Sequence, residues 1–133
     1  MAGELLVDSS FWIGRLRAGA DPLFELAEIS EEWDLAICGM VIVEVLRGFK
    51  TEKERRRFQD AFSCMICLPT PQYIWERTAQ LGWSMDRAGK IIPATDLVIA
   101  TCALAAGATV LAFDRHFSWV PSLRVISKLP SIT

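Results

Sequence analysis

Four carboxylates in this sequence adjoin apolar runs, where an ionised group is costly to hold unless something compensates its charge. Asp8 closes a short apolar run, Glu44 lies inside one, Asp96 begins one and Asp114 follows another. Clustered carboxylates repel one another and raise each other's pKa values, and divalent cations remove this conflict. All-oxygen ligation suits Mg²⁺ or Mn²⁺, and two such ions can activate water and stabilise the leaving oxygen of a phosphodiester. The four acids therefore predict metal-dependent phosphoryl chemistry.

Each acid also has a purely structural explanation. Asp8 can cap a helix, Asp96 can complement a helix dipole, and Asp114 can be a turn residue. Glu44 and Arg47 have the i,i+3 spacing of a helical ion pair. These explanations suffice for each acid singly, but they do not account for four acids that share the same apolar setting.

The elements that must position these acids are short apolar strands alternating with helices. Strands are predicted at residues 4–7, 35–38, 65–68, 109–112 and, at an edge, 124–126. Helices are predicted after a cap at Ser9 or Ser10, from Pro22, and over residues 40–49, 51–61, 72–88 and 93–106. This alternation is typical of a parallel sheet covered on both faces. We therefore predict a single α/β domain over residues 1–133, a three-layer α/β/α sandwich around a parallel sheet of four to five short strands.

The predicted sheet brings the acids toward one edge. In open α/β sheets, ligands collect at the carboxyl ends of the strands. Asp8 and Asp114 each lie at or just beyond such an end. Glu44 lies a few residues past the second strand, and Asp96 lies near a helix start. One edge of the sheet can therefore gather all four carboxylates.

Composition and charge restrict the class of protein. The 133-residue chain is 52% hydrophobic and has a formal net charge of −2, which argues against bulk electrostatic attraction to nucleic acid. The charge is uneven, since residues 47–57 carry six basic and two acidic side chains. The sequence shows neither a secretory signal nor a run of about 20 apolar residues, so we predict a cytoplasmic protein without membrane spans. The four cysteines would stay reduced there, and we predict buried structural thiols, although Cys64 and Cys67 have the CxxC spacing of redox or metal sites.

Four segments around the acids resemble one known family. They read VDSSFWI at residues 7–13, VEVLRG at 43–48, IPATDLVIATCA at 92–103 and FDRHF at 113–117. In order and spacing, over nearly the whole chain, these segments resemble the PIN-domain ribonucleases. The resemblance is particularly to the toxins of VapBC-type toxin–antitoxin pairs, and it implies a PIN-like α/β/α fold.

The resemblance implies a role for each acid and for one serine. Asp8, Glu44 and Asp96 would be the principal metal ligands, and Asp114 would be the fourth. Ser10 would orient a carboxylate or a bound water through its hydroxyl.

The function implied by the resemblance is RNA cleavage by an endoribonuclease that depends on Mg²⁺ or Mn²⁺. Such a toxin would form a homodimer and be inhibited by a cognate antitoxin, whose Arg side chain would compete with metal or substrate in the acidic cleft. Family members usually carry Thr or Ser two positions before the last acid, where this chain has Ala112. This departure removes one hydrogen bond and would weaken a second metal or alter substrate positioning. The departure keeps open the alternative of a catalytically weakened binding module. An RNA-processing nuclease without an antitoxin is a second alternative, which keeps the same chemistry.

Several cationic and aromatic side chains have competing interpretations. Arg87 and Lys90 can grip RNA phosphates at the mouth of the cleft or simply lie in a solvated loop. The basic run at residues 55–57 can bind RNA, bind an acidic partner or face solvent. We interpret His116 as an exposed loop side chain rather than a proton donor. We expect Trp12, like most of the five tryptophans, to pack in the core or at an interface rather than stack on a base.

Overall fold

The computed structural model describes residues 2–130. Its strands are β1 (Gly3–Val7), β2 (Trp33–Cys38), β3 (Ile66–Leu68), β4 (Thr109–Leu111) and β5 (Val125–Ile126). They form one five-stranded parallel sheet with the order β3-β2-β1-β4-β5. In this register Leu5 of β1 lies opposite Leu35 on one side and Thr109 on the other. The predicted α/β fold with a central parallel sheet is confirmed.

Six helices connect the strands and differ from the predicted ranges only at their ends. They are α1 (Ser9–Arg17), α2 (Pro22–Ala27), α3 (Gly39–Leu46), α4 (Glu52–Ser63), α5 (Gln72–Arg87) and α6 (Ala94–Ala106). A 3₁₀ helix, Arg115–Trp119, follows β4. Crossovers between parallel strands are right-handed, so the reversal of strand order between β3 and β4 places α5 and α6 on the face opposite α1 to α4. This arrangement gives the sheet a helical layer on each side.

The core lies between the central strands and the helices that cover them. Leu5, Leu6 and Val7 of β1 are wholly buried, as expected for the middle strand of a covered parallel sheet. Helix α6 is buried without interruption over residues 96–103, which suits a helix that is apolar around its whole circumference. At Gly82 of α5 an added Cβ would lie 2.9 Å from the Leu97 side chain, so this glycine permits the close approach of α5 and α6.

The first helix uses one of the two caps that the sequence offered. The N-cap is Asp8, as its structural explanation proposed, and the prediction of Ser9 or Ser10 as the cap was wrong. Strand β1 ends at Val7 and the helix begins at Ser9, so one residue alone keeps extended dihedral angles, φ −73° and ψ 156°, at the junction. The Asp8 side chain accepts a hydrogen bond from the backbone N–H of Ser10, which satisfies a free donor of the first turn.

Two of the four cysteines also depart from the prediction of buried thiols. Cys38 and Cys102 are buried free thiols as predicted, but Cys64 and Cys67 are exposed. The prediction was wrong for this second pair. Cys67 lies on β3, the edge strand of the sheet, where one side has no neighbouring strand to cover it, and Cys64 lies at the end of α4, just before β3. Trp12 is fully buried, as expected. Over residues 2–130, no helix combines the length and apolar character needed to cross a membrane.

Candidate metal centre

The sheet places the four predicted acids at or beyond the carboxyl ends of its central strands. Asp8 directly follows β1, and Asp114 lies just past the neighbouring strand β4. Glu44 lies on α3, which starts directly after β2, and Asp96 lies in the first turn of α6. Because β2, β1 and β4 are adjacent and parallel, their ends open onto one cleft.

Asp8 is the most deeply buried of these acids, with 1% of its surface exposed. Its Oδ2 accepts the Ser10 N–H at 2.9 Å, whereas Oδ1 is buried and has no hydrogen-bond partner among the described residues. Burial raises the pKa of the Asp8 carboxyl, the Ser10 and Ser9 donors oppose this shift, and the charge of Asp114 adds to it. The carboxylate thus retains an unused acceptor where water does not reach it.

Glu44 is half-buried and held by a neighbouring serine. Its Oε1 accepts a hydrogen bond from the Ser9 hydroxyl at 3.0 Å. Burial raises the pKa of Glu44, and the charge of Asp8 adds to the rise. Within residues 2–130 Arg47 does not form a direct ion pair with Glu44, although its charge lowers the pKa of that carboxyl.

Asp96 has the most strongly shifted carboxyl of the four. Burial raises its pKa to about 6, with further contributions from the charges of Asp8 and Asp114, while the hydrogen bond with His116 opposes the rise. A helix N-terminus ordinarily favours a carboxylate. Burial and the neighbouring like charges act in the opposite direction and disfavour the ionised form of Asp96.

Asp114 and His116 complete a compact group with Asp96. Asp114 caps the 3₁₀ helix by accepting the His116 backbone N–H at 2.9 Å. The ring Nδ1 of His116 lies 2.9 Å from Asp114 Oδ1 and 3.3 Å from Asp96 Oδ2. One ligand atom from each of the three residues lies within 4.8 Å of the others, and Asp8 and Glu44 are outside this tighter group.

His116 is the functional candidate that the sequence interpretation missed. We expected an exposed loop side chain, but it is half-buried and contacts two of the four acids. The available signal was the Asp-x-His spacing after β4, because a capped 3₁₀ turn returns the third residue toward the capping carboxylate.

Ser10 interacts with the Asp8 carboxyl, whose pKa its hydroxyl lowers, and it also holds a second group. Its hydroxyl accepts backbone N–H groups of Phe113 at 2.9 Å and Asp114 at 3.4 Å. It thereby fastens the segment after β4 to the start of α1. Ala112, which lacks the hydroxyl usual in the family, is buried and donates its N–H to the carbonyl of Ile126 at 3.0 Å.

The donors in this cleft fit a divalent cation. Asp8 is close enough for its charge to raise the pKa values of Glu44 and Asp96. Three acids keep raised pKa values, and one carboxylate oxygen is buried without a partner, so the negative charge of this cluster is only partly compensated by Arg47 and His116. Oxygen-rich sites of this kind bind Mg²⁺ or Mn²⁺, and a cation there would remove both the repulsion and the unpartnered acceptor.

Comparisons with known proteins agree with this fold. A chain in the structure of VapBC2 from Rickettsia felis bound to a promoter DNA fragment is 20% identical, with a TM-score of 0.76, over 92% of this chain and 96% of that one. A chain in DNA-bound VapBC from Salmonella typhimurium is 19% identical, with a TM-score of 0.75 over the same shares. A chain in a toxin-antitoxin complex from Klebsiella pneumoniae is 20% identical, with a TM-score of 0.71, over 93% of this chain and 97% of that one.

Family membership follows from the sequence itself. Among curated proteins, none matches this chain. The family model described as the PIN domain matches residues 5–123, a range that contains all four acids, Ser10 and His116. This protein therefore belongs to the PIN-domain family.

Proposed function

We propose that this protein is a divalent-metal-dependent endoribonuclease. The observation that carries the proposal is the buried Asp8, whose Oδ1 has no partner in the described chain while Asp96 nearby has its pKa raised to about 6. Such an arrangement is costly for the protein alone and becomes favourable with a cation. PIN domains are generally nucleases, and this chain has the acids that such chemistry needs.

The roles of the side chains follow from their settings. Asp8, Glu44, Asp96 and Asp114 would hold Mg²⁺ or Mn²⁺, with Ser10 keeping Asp114 in place through the backbone of its segment. When bound, the divalent cation supplies positive charge that polarises the scissile phosphate and favours ionisation of the attacking water. The protein's own contribution is to hold these carboxylates rigidly around a partly dehydrated cleft.

RNA cleavage by the purified protein tests this proposal. Cleavage of single-stranded RNA should require Mg²⁺ or Mn²⁺ and stop on addition of a chelator. Asp8→Asn and Asp96→Asn should each lower the rate by at least about a hundredfold, because each removes a charge that holds the cation. Glu76→Gln on the exposed face of α5 is the matched control and should cleave like the parent protein. Equal cleavage by all variants would identify a contaminating nuclease and reject the proposal.

We also propose that the nuclease is the toxin of a toxin–antitoxin pair. The similar chain from Klebsiella pneumoniae comes from a toxin-antitoxin complex. Large apolar side chains are exposed here, including Phe24, Ile91 and Trp83 at 68%, 67% and 60% of their surface. Exposed apolar groups of this size suit contact with a partner protein, an antitoxin or a second copy of this chain.

Co-expression tests for an antitoxin as the partner, and sedimentation tests for a second copy of this chain. An antitoxin encoded by a small adjacent reading frame should co-purify with the chain and suppress RNA cleavage. Sedimentation of the chain alone should give the mass of a homodimer. Harmless expression of an active enzyme without any partner would favour an RNA-processing nuclease. If the purified protein binds neither Mg²⁺ nor Mn²⁺, a non-catalytic binding module would be favoured.

A further inference from the structure

We infer that His116 is a ligand of the divalent cation and that its nitrogen gives this centre a preference for Mn²⁺ over Mg²⁺. The inference rests on the proposed metal centre and adds a residue that the four-acid pattern does not contain. It also changes the chemistry of the centre, because the donor set is no longer composed of oxygen alone.

The ring nitrogen already has the spacing of a ligand. Adjacent ligand atoms in a regular octahedral site with bonds of about 2.1 Å are about 3.0 Å apart. His116 Nδ1 lies 2.9 Å from Asp114 Oδ1 and 3.3 Å from Asp96 Oδ2. All three atoms can therefore bind one cation with small movements of their side chains.

The imidazole is also fixed in orientation. The His116 backbone N–H is bonded to Asp114, which holds the residue at the start of the 3₁₀ helix. On its other side the ring packs edge-on against Trp119, with centroids 5.1 Å apart and an angle of 62° between the planes. A donor that is already oriented loses little rotamer freedom when it binds a metal.

The setting of Asp8 distinguishes two roles for His116, that of a metal ligand and that of an internal counter-ion to the acids. A protonated His116 would compensate Asp96 and Asp114, which it contacts directly. It would leave Asp8 Oδ1 buried and without a partner, as the described chain leaves it now. A divalent cation held by Asp96, Asp114 and His116 would also compensate the nearby charge of Asp8, which acts on both of these acids. The imidazole alone contacts only Asp96 and Asp114.

The nitrogen donor sets the expected metal preference. Mg²⁺ favours oxygen ligands and releases its bound water molecules reluctantly. Imidazole binds transition metals better than it binds Mg²⁺. Mn²⁺ accepts carboxylate and imidazole together and is therefore the better match to Asp96, Asp114 and His116. The same reasoning predicts binding of Co²⁺, whose visible absorption reports on its ligands.

The experiment measures metal binding directly, without RNA. Mn²⁺ and Mg²⁺ dissociation constants are determined by calorimetry for the full chain and for His116→Ala and His116→Asn. Arg115→Ala, on the exposed adjacent residue, is the matched control. The parent protein and the control should bind Mn²⁺ at least about tenfold more tightly than Mg²⁺. Both His116 variants should lose about tenfold or more in Mn²⁺ affinity and much less in Mg²⁺ affinity, and should change the Co²⁺ absorption band.

Two outcomes would overturn the inference and leave the proposed function intact, and a third would reject both. Unchanged Mn²⁺ affinity and an unchanged Co²⁺ band in both His116 variants, with binding lost in Asp96→Asn, would leave an acid-only metal centre. Tighter metal binding by His116→Ala would show that the imidazole competes with the cation as an internal counter-ion. Failure of the parent protein to bind any divalent cation would reject the proposed function as well. Circular dichroism of the metal-free variants separates a lost ligand from a lost fold.

Discussion

The acidic cleft and the exposed helix α4 both concentrate charge, but they compensate it in opposite ways. On α4, Arg55 pairs with Glu52 one turn away, and Arg57 reaches Asp21 of the neighbouring helix cap at 2.7 Å. In the cleft, Asp8 is buried among other acids and retains an unpartnered oxygen. The surface helix is thus balanced within the chain, whereas the cleft is not.

This difference shows which charges matter for function. Exposed ion pairs contribute little free energy because water and salt screen them. A buried carboxylate without compensation destabilises the folded chain until its charge is removed or paired. The run at residues 55–57 has solvent-exposed, paired side chains, which agrees with the interpretation that it faces solvent. Perturbations of the cleft should therefore change stability far more than equal perturbations of α4.

The largest expected effect is a loss of stability of the metal-free protein as pH rises. Asp96 has a pKa of about 6 in the folded chain against an ordinary value of 3.8. Between these values the folded state binds more protons than the unfolded state, so the stability is fully present below about pH 4 and is lost as pH rises through about 6. This loss amounts to about 3 kcal/mol. Urea unfolding in the presence of a chelator, from about pH 4 to pH 7, measures it.

Two controls assign this slope to Asp96. Asp96→Asn cannot ionise and should unfold with a flatter pH dependence than the parent protein. Saturating Mn²⁺ should reverse the trend, because ionised carboxylates bind the cation and protonated ones do not. An identical slope in Asp96→Asn would contradict the assignment.

The next effect in size concerns the buried charge of Asp8. Asp8→Asn keeps an equally good helix cap, since Asn accepts the Ser10 N–H as Asp does, but it removes the negative charge. We expect the metal-free protein to gain about 1 to 2 kcal/mol in unfolding free energy at neutral pH. The rise in melting temperature caused by Mn²⁺ should disappear at the same time. A destabilised variant that still responds to Mn²⁺ would show that Asp8 is only a structural cap.

A smaller effect is expected when the Ser10 hydroxyl, which holds the backbone of the Asp114 segment, is removed. Ser10→Ala removes the acceptor of the Phe113 and Asp114 amides and should cost about 1 kcal/mol of stability. Metal affinity should fall by about tenfold, because the Asp114 segment is held less firmly. Hydrogen exchange of these two amides, with a parallel metal titration, measures both consequences.

Ser9→Ala is the matched control for this change. The Ser9 hydroxyl bonds to Glu44, so its removal should leave exchange at residues 113 and 114 unchanged. Equal exchange at these amides in Ser10→Ala and the parent protein would show that the serine does not hold the segment.

The fold could be predicted because its signals are local. The apolar stretches at residues 5–7, 36–38 and 110–113 are short and end just before Asp8, Gly39 and Asp114, so their alternation with helices is visible in the sequence. The exposure of Cys67 could not be predicted in the same way. It depends on β3 being the edge strand, and strand order is set by distant segments of the chain.

The candidate site was predictable to the extent that burial shows in the sequence. All four acids adjoin apolar runs, but within residues 2–130 only Asp8 and Asp96 are buried acids, whereas Glu44 and Asp114 are half-buried. Ser10 was expected to act on a carboxylate or water, and its hydroxyl lowers the pKa of Asp8. Its second role could not be predicted, because the backbone amides that it accepts come together only in the folded chain. His116 was missed because a short 3₁₀ turn, too short for a periodic pattern, brings its ring back to Asp114.

The smallest effect is expected from the ion pair between Arg57 of α4 and Asp21, where the charges compensate each other. Asp21 accepts Arg57 through Oδ2 and the Leu23 N–H through Oδ1, so Asp21→Asn keeps the cap of α2 and removes only the ion pair. Both side chains are nearly half exposed, and the cost should stay below about 1 kcal/mol and shrink as salt is added. Mn²⁺ affinity should match that of the parent protein. An effect as large as that of Asp8→Asn, or a change in metal affinity, would mean that charge on this surface is coupled to the cleft, and the distinction between balanced and unbalanced charge would fail.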